Sequence, residues 1–262
     1  MFRLRFTSGI AVSTFLAVAC QNKASEGSAR AEIHNPNRLV DAPEALKRAV
    51  VLVFSDYVPG KSTFCSGTLI SATRVLTAKH CVDGADQVSA RWKIGFDADM
   101  TSPTTPLARP KRIRLHTLTD LATIDFEGSI GTKLPATLAP IGSSYPANTP
   151  VAVGGYGKAA KGGSAGRYMR WGIMVLSEFT GQESYPDGEN YSSNLRISRP
   201  PGGSVLCGGD SGGGTYVQHK GKWVLLGVNS GSEGAGERCD SRALNSYVID
   251  VRGHKSFIFG TD

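Results

Sequence analysis

No stretch of this 262-residue chain repeats apolar residues at helical spacing over any length, which excludes an all-helical fold and leaves room only for a short turn after Ala78 and a stub near the C-terminus. No period of about 20 to 50 residues recurs, so solenoids and propellers are excluded as well. The greasiest run, Ile10 to Ala19, is too short to span a bilayer. No two of the five cysteines lie within four positions of each other, so the close spacing of a zinc site is missing and no metal or organic cofactor is expected. Neither sign of charge dominates: the formal balance is +7, and Arg3 and Arg5 in the leader account for two of it. Nothing there calls for nucleic acid. The one basic cluster, Arg109, Lys111, Arg112 and Arg114, alternates with Ile113 and Leu115 as a half-exposed strand does.

What is present is 40% apolar residues, enough for a buried core, together with 32 Gly and 13 Pro. The apolar segments are short and punctuated by turn residues, as in barrels and sandwiches. Strands are expected over 49–54, 64–70, 75–77, 88–94, 111–115, 121–126, 151–153, 169–176, 194–198, 213–218, 223–228 and 245–249.

Residues 1–19, with Arg3 and Arg5 before the apolar run, read as an export signal. The sequence Ala17-Val18-Ala19-Cys20 satisfies the small-x-small rule of an ordinary signal cleavage site. It also resembles a lipoprotein box, in which a lipid on Cys20 would tether the chain to a membrane. Both readings place the protein outside the cytoplasm, secreted, periplasmic or anchored to the envelope. Residues 20–38 are polar and aperiodic, a tether or propeptide, and the folded part begins near Leu39. With Cys20 set aside as the odd cysteine of an exported chain, the remaining four can pair as Cys65 with Cys81 and Cys207 with Cys239.

Cleaving an amide takes a nucleophile, a base, a group that orients the base, and donors for the oxyanion. The stretch Gly208-Gly209-Asp210-Ser211-Gly212-Gly213 sets one serine among glycines, where backbone N–H groups can turn toward a reacting carbonyl. Ser211 is the candidate nucleophile, with the N–H groups of Gly209 and Ser211 as oxyanion donors. In Val75-Leu76-Thr77-Ala78-Lys79-His80-Cys81 a histidine abuts a cysteine whose candidate partner Cys65 lies sixteen residues earlier, in Phe64-Cys65-Ser66-Gly67-Thr68-Leu69-Ile70. A bridge there would pin the imidazole, as a general base requires. His34, His116, His219 and His254 lack such company.

The His80 segment resembles the "L-T-A-A-H-C" signature of trypsin-like peptidases, and the Ser211 segment resembles their "G-D-S-G-G" signature. Between the two, Asp120-Leu121-Ala122-Thr123-Ile124 is similar to the family's "D-I-A-L-L" strand, and Asp120 would hold His80 in the useful tautomer. Val153-Gly154-Gly155-Tyr156-Gly157 resembles the "G-W-G" turn. Leu226 to Gly231 resembles the substrate-binding strand, and Cys207 and Cys239 sit where a bridge frames the pocket. The resemblance implies an all-β fold of two antiparallel six-stranded barrels, one over about 39–145 and one over about 146–262, with the site in the cleft between them. It implies a monomeric serine endopeptidase that takes polypeptide substrates through an acyl-enzyme. The alternative is a binding or adhesion protein on the same scaffold; such relatives usually lose a triad member, and here all three positions are filled.

In the family a new amino terminus pairs with the aspartate before the nucleophile. Cleavage after Arg38 would free Leu39 to bind Asp210, although Asp41 and Ala42 replace the two glycines usual after such a site. The pocket floor falls on Val205, followed by Leu206, with Gly231 and Asn245 as further pocket candidates. With no carboxylate at Val205, a buried Lys or Arg would lack a counter-charge, so neutral, apolar side chains are expected on the acyl side of the cut. The Asn229-Ser230 pair stands where the family has Ser-Trp.

Overall fold

A computed structural model describes residues 41–58, 61–83, 92–101, 104, 106–158, 165–177, 194–201, 203–232 and 245–261. Twelve strands close into two barrels. The first contains β1 (Val50–Val58), β2 (Lys61–Ser71), β3 (Arg74–Thr77), β4 (Trp92–Gly95), β5 (Leu107–Leu115) and β6 (Ala122–Glu127), joined in the order β1-β2-β3-β6-β5-β4. The second contains β7 (Pro150–Gly155), β8 (Arg170–Leu176), β9 (Asn194–Ser198), β10 (Gly214–His219), β11 (Lys222–Ser232) and β12 (Asn245–Asp250), in the order β10-β11-β12-β9-β8-β7. All the pairings within the two barrels are antiparallel. Each of the expected strands is found, most of them longer by one to several residues; the expected 88–94 begins at Trp92 within the described residues.

The two-residue period of a strand explains how the second barrel is built. Val151 and Val153 of β7, Val217 of β10, Val224 and Leu226 of β11 and Val248 of β12 share one apolar cluster with Met174, Leu176 and Ile197. Their neighbours on the opposite face, Ala152, Tyr216, Leu225 and Ile249, join the cluster that includes the first barrel's Val51, Leu69, Val75 and Ile124. Alternate residues thus fill the barrel or the seam between barrels, which is why these segments read as continuous apolar runs.

Two helices flank the barrels: α1 (Glu44–Ala49), ahead of β1, and α2 (Lys255–Phe259), near the C-terminus. Six residues are too few to show a helical period. In α1, Leu46 and Ala49 are buried, and Leu46 lies against Gly154 of β7 with no room for a side chain between them. The buried Lys133 ammonium closes the end of α1 by donating to the carbonyls of Lys47 (2.8 Å) and Val50 (2.7 Å). Burial pulls its pKa down to about 8, against the opposing pull of Asp97. α2 follows the second barrel in sequence yet docks on the first. Arg114 of β5 donates to the Phe257 carbonyl (2.6 Å), Arg74 of β3 to that of Ile258 (3.1 Å), and His116 meets the Phe257 ring edge-on. A short rung also joins the barrels: Met100 N donates to Arg167 O (2.9 Å), Met169 N to Ala98 O (2.8 Å), and the buried Tyr156 hydroxyl to Asp97 O.

The basic cluster lies on β5 and meets acids of neighbouring β6, with Lys111 on Glu127 at 2.6 Å and Arg112 on Asp125 at 2.7 Å.

Candidate active site

Strands β3 and β6 are neighbours, and Thr77 pairs with Ala122 at their shared end. His80 lies three residues beyond that end, in the 3-10 turn Lys79–Cys81, and Asp120 lies two residues before it. Residues forty apart in sequence are therefore adjacent in space. His80 Nδ1 meets Asp120 Oδ2 at 2.8 Å, and the backbone N–H of His80 donates to Asp120 Oδ1 at 2.9 Å. The disulfide Cys65–Cys81 ties this turn to β2. The Asp120 side chain is 6% exposed and that of His80 50%, so the acid is enclosed while the ring faces the cleft. Burial opposes a charge on His80, but the hydrogen bond and charge of Asp120 outweigh it and hold the imidazole pKa above its ordinary 6.5.

Ser211 belongs to the second barrel, in the turn leading into β10. Its carbonyl accepts from Ser66 N of β2 at 2.7 Å, and its hydroxyl donates to the Ser230 carbonyl at 3.1 Å rather than to His80. The Ser230 hydroxyl in turn donates to Asp120 Oδ2. Ser230 thus touches both halves of the site, its backbone carbonyl holding the Ser211 hydroxyl and its side chain holding the Asp120 carboxylate that orients His80. Ser230 was missed at the sequence level because a register shift between Asn229 and Gly231, where β11 pairs with β12, sets which residue faces Asp120. Ser66 was missed too: its hydroxyl accepts from Tyr156 N and donates to Gly209 O, both at 2.8 Å, stitching the barrels together beneath the Ser211 turn.

Gly209 and Gly212 have φ of +99° and +84°, which the turn requires and which L side chains rarely adopt. Among the described residues, neither the Gly209 N–H nor the Ser211 N–H has a hydrogen-bond acceptor.

The Asp210 carboxyl is 1% exposed and points away from Ser211, accepting from Gly157 N and Cys207 N, both at 2.8 Å. Gly157 has no room for a Cβ against that carboxyl. Burial pushes the Asp210 pKa up to about 7, although both N–H groups and the Arg170 charge pull it down. Arg38 and Leu39 lie outside the described residues, as do Cys20 and Cys239. Cys207 is disulfide-bonded.

Two barrels with this arrangement of histidine, aspartate and serine at their junction correspond to one known family, whose model, described as Trypsin, matches residues 44–254. The chain belongs to the trypsin family. That membership places the chain among the serine endopeptidases, a class of hydrolases. Among curated relatives, a trypsin of Saccharopolyspora erythraea is 30% identical over 186 residues, covering 67% of this chain and 78% of that protein. Serine protease 56 of Mus musculus is 31% identical over 192 residues, 68% of this chain, and its human counterpart 29% over 192 residues. The match spans only 32% of each of those two longer polypeptides.

Of the pocket candidates read from the sequence, Val205 and its neighbour Leu206 are buried, and the Ser232 hydroxyl, two residues past Ser230, donates to the Leu206 carbonyl at 3.2 Å. Gly231 pairs with Tyr247 across β11 and β12. Asn245 accepts from the Ser198 hydroxyl at 2.7 Å. Cys65, His80 and Cys81 offer ligand atoms within 4.8 Å of one another, but the two sulfurs are bonded together and neither is the thiolate that a metal binds.

Proposed function

We propose that the chain hydrolyses peptide bonds through His80, Asp120 and Ser211, by way of an acyl-enzyme on Ser211. The observation that carries this reading is the His80 Nδ1 to Asp120 Oδ2 contact of 2.8 Å, linked to the Ser211 hydroxyl through Ser230. For catalysis that hydroxyl would leave the Ser230 carbonyl and turn toward Nε2 of His80. As Ser211 Oγ bonds to the substrate carbonyl carbon, its proton passes to Nε2, and Asp120 stabilises the imidazolium. The carbonyl oxygen becomes an oxyanion, for which the open N–H groups of Gly209 and Ser211 are the available donors. His80 then protonates the departing amine. Water, deprotonated by the same ring, releases the acyl group.

On the acyl side, the buried Val205 and Leu206 offer no carboxylate to a Lys or Arg side chain and favour neutral, apolar ones. A peptide-library profile dominated by Lys and Arg would refute this preference. The burial of Asp210, whose pKa is pushed up to about 7, supports a docking role for an ammonium freed at Leu39 by cleavage after Arg38. The Cys65–Cys81 bridge agrees with export to an oxidising compartment, the destination that a signal over 1–19 would give it with or without a lipid on Cys20.

A serine-reactive phosphonate tests the central reading. Labelling of Ser211 that disappears in His80→Ala is the expected result. Failure to label after cleavage at Arg38 would point to a binding protein instead.

A further inference from the structure

Asn229 is a fully buried polar residue in β11, between Val228 and the site residue Ser230. Burying an amide is unfavourable unless its hydrogen bonds are made, and a valine here would occupy a similar volume without that demand. The Asn229 amide is satisfied at both ends. Its Nδ2 donates to the carbonyls of Gly154 (3.2 Å) and Asp210 (3.3 Å), and its Oδ1 accepts from the Thr215 hydroxyl at 2.7 Å. Two carbonyls on one side and a hydroxyl donor on the other settle which end carries the hydrogens. The backbone of the same residue grips the Ser211 turn, donating to Gly213 O (2.8 Å) and accepting from Gly212 N (2.7 Å).

The Asp210 carbonyl belongs to the same peptide group as the Ser211 N–H, and no peptide described is cis. In a trans peptide the C=O and N–H point in opposite directions. Holding the Asp210 carbonyl inward, with Asn229 Nδ2 on one lone pair and Gly213 N at 3.0 Å on the other, therefore turns the Ser211 N–H outward. The companion peptide is fixed by the same rule, since Lys158 N donates to Gly208 O at 3.0 Å and so orients the Gly209 N–H. There, backbone holds backbone; at Ser211 a side chain shares the task.

We propose that Asn229 is a positioning residue that sets the Asp210–Ser211 peptide plane and thereby aims the Ser211 N–H at the oxyanion. This rests on the peptidase reading above and adds to it a residue that touches no substrate. Its effect is confined to the step in which negative charge develops, so it governs kcat and tetrahedral adducts more than ground-state binding.

The test compares Asn229→Val, Thr215→Val and the double variant with the wild type, on a peptide ester and a peptidyl boronate, whose adduct sets an oxygen against the two N–H groups. Losing a whole oxyanion donor costs 10²–10³ in kcat, and Gly213 still holds the carbonyl in Asn229→Val, so a fall of about 10- to 100-fold is expected. KM should stay within about threefold, and boronate affinity should fall in step with kcat. Thr215→Val leaves both Nδ2 bonds in place and should keep kcat within about threefold of wild type. The double variant, which leaves no orphaned hydroxyl, should match Asn229→Val. An unchanged kcat in folded Asn229→Val, an equal loss in Thr215→Val, or a chain that folds without the Thr215 hydroxyl but not without Asn229 would overturn the proposal. A wild type that neither cleaves the ester nor accepts the phosphonate would instead remove the peptidase reading.

Discussion

Asp210 makes the stability of the fold depend on pH in a direction opposite to that of an ordinary surface acid. Its carboxyl is 1% exposed, and burial raises its pKa from 3.8 to about 7 against the pull of Cys207 N, Gly157 N and Arg170. The unfolded chain gives up this proton near pH 4, while the folded chain keeps it until about pH 7. Between those limits the folded state binds the extra proton, so stability is highest on the acid side and falls as pH rises. Roughly three pKa units correspond to about 4 kcal/mol, an upper figure for one carboxyl. The perturbation is Asp210→Asn, which cannot titrate, made in a Ser211→Ala background so that self-digestion does not intrude. Urea unfolding at half-unit steps from pH 4 to 8 gives the stability difference between the two chains. That difference should move by about 4 kcal/mol across the window, to the disadvantage of the chain that keeps Asp210. A difference constant to within about 1 kcal/mol would refute the reasoning. Cleavage after Arg38 supplies the decisive contrast. An ammonium docked on Asp210 would depress its pKa, so the same carboxylate would then stabilise the fold above the unfolded value and lose that contribution as pH falls through the folded one.

The raised pKa of His80 sets the acid limb of the reaction, because only the neutral ring can accept the serine proton. In a pH series, kcat/KM should therefore rise through a midpoint above 6.5 and that midpoint should move down in Asp120→Asn, which also lowers kcat by about 10⁴-fold; a midpoint indifferent to the substitution would count against the pair. Ser230→Ala removes the hydroxyl bond to buried Asp120 while leaving the backbone carbonyl in place, and stopped-flow acylation should slow by about tenfold with little change in KM. Replacing Cys65 and Cys81 together by Ala frees a loop with a sequence separation of 16, for a loss of about 3 kcal/mol in thermal or urea unfolding.

The strands were legible because each is a short apolar segment bounded by Gly, Pro, Asn or Ser, and because the residues of the second barrel divide between two cores at a period of two. The chemistry was legible because each reactive residue sits in a local motif. α1 escaped notice since Glu44–Ala49 is under two turns, held by Lys133 from far along the chain. The rung between Ala98–Met100 and Arg167–Met169 is made by backbone groups, which carry no side-chain signature. Ser66, Asn229 and Ser230 share a different reason for their obscurity. Each occupies a strand position where a small or polar residue looks like an exposed one, and only the closure of both barrels buries it.

That burial also explains why these three matter to the site. His80, Asp120 and Ser211 all lie at strand ends, where turn geometry leaves a side chain free to meet another element. A turn bearing glycines such as Gly209 and Gly212 has little rigidity of its own. The fold provides it from beneath: Ser66 from the first barrel, Asn229 from the second, and Ser230 between Ser211 and Asp120. A side chain that touches no substrate but donates to a backbone carbonyl of such a turn fixes directions rather than adding affinity. Substitutions at Asn229 should therefore show their effect in the rate of acylation, before any change in the strength of substrate binding.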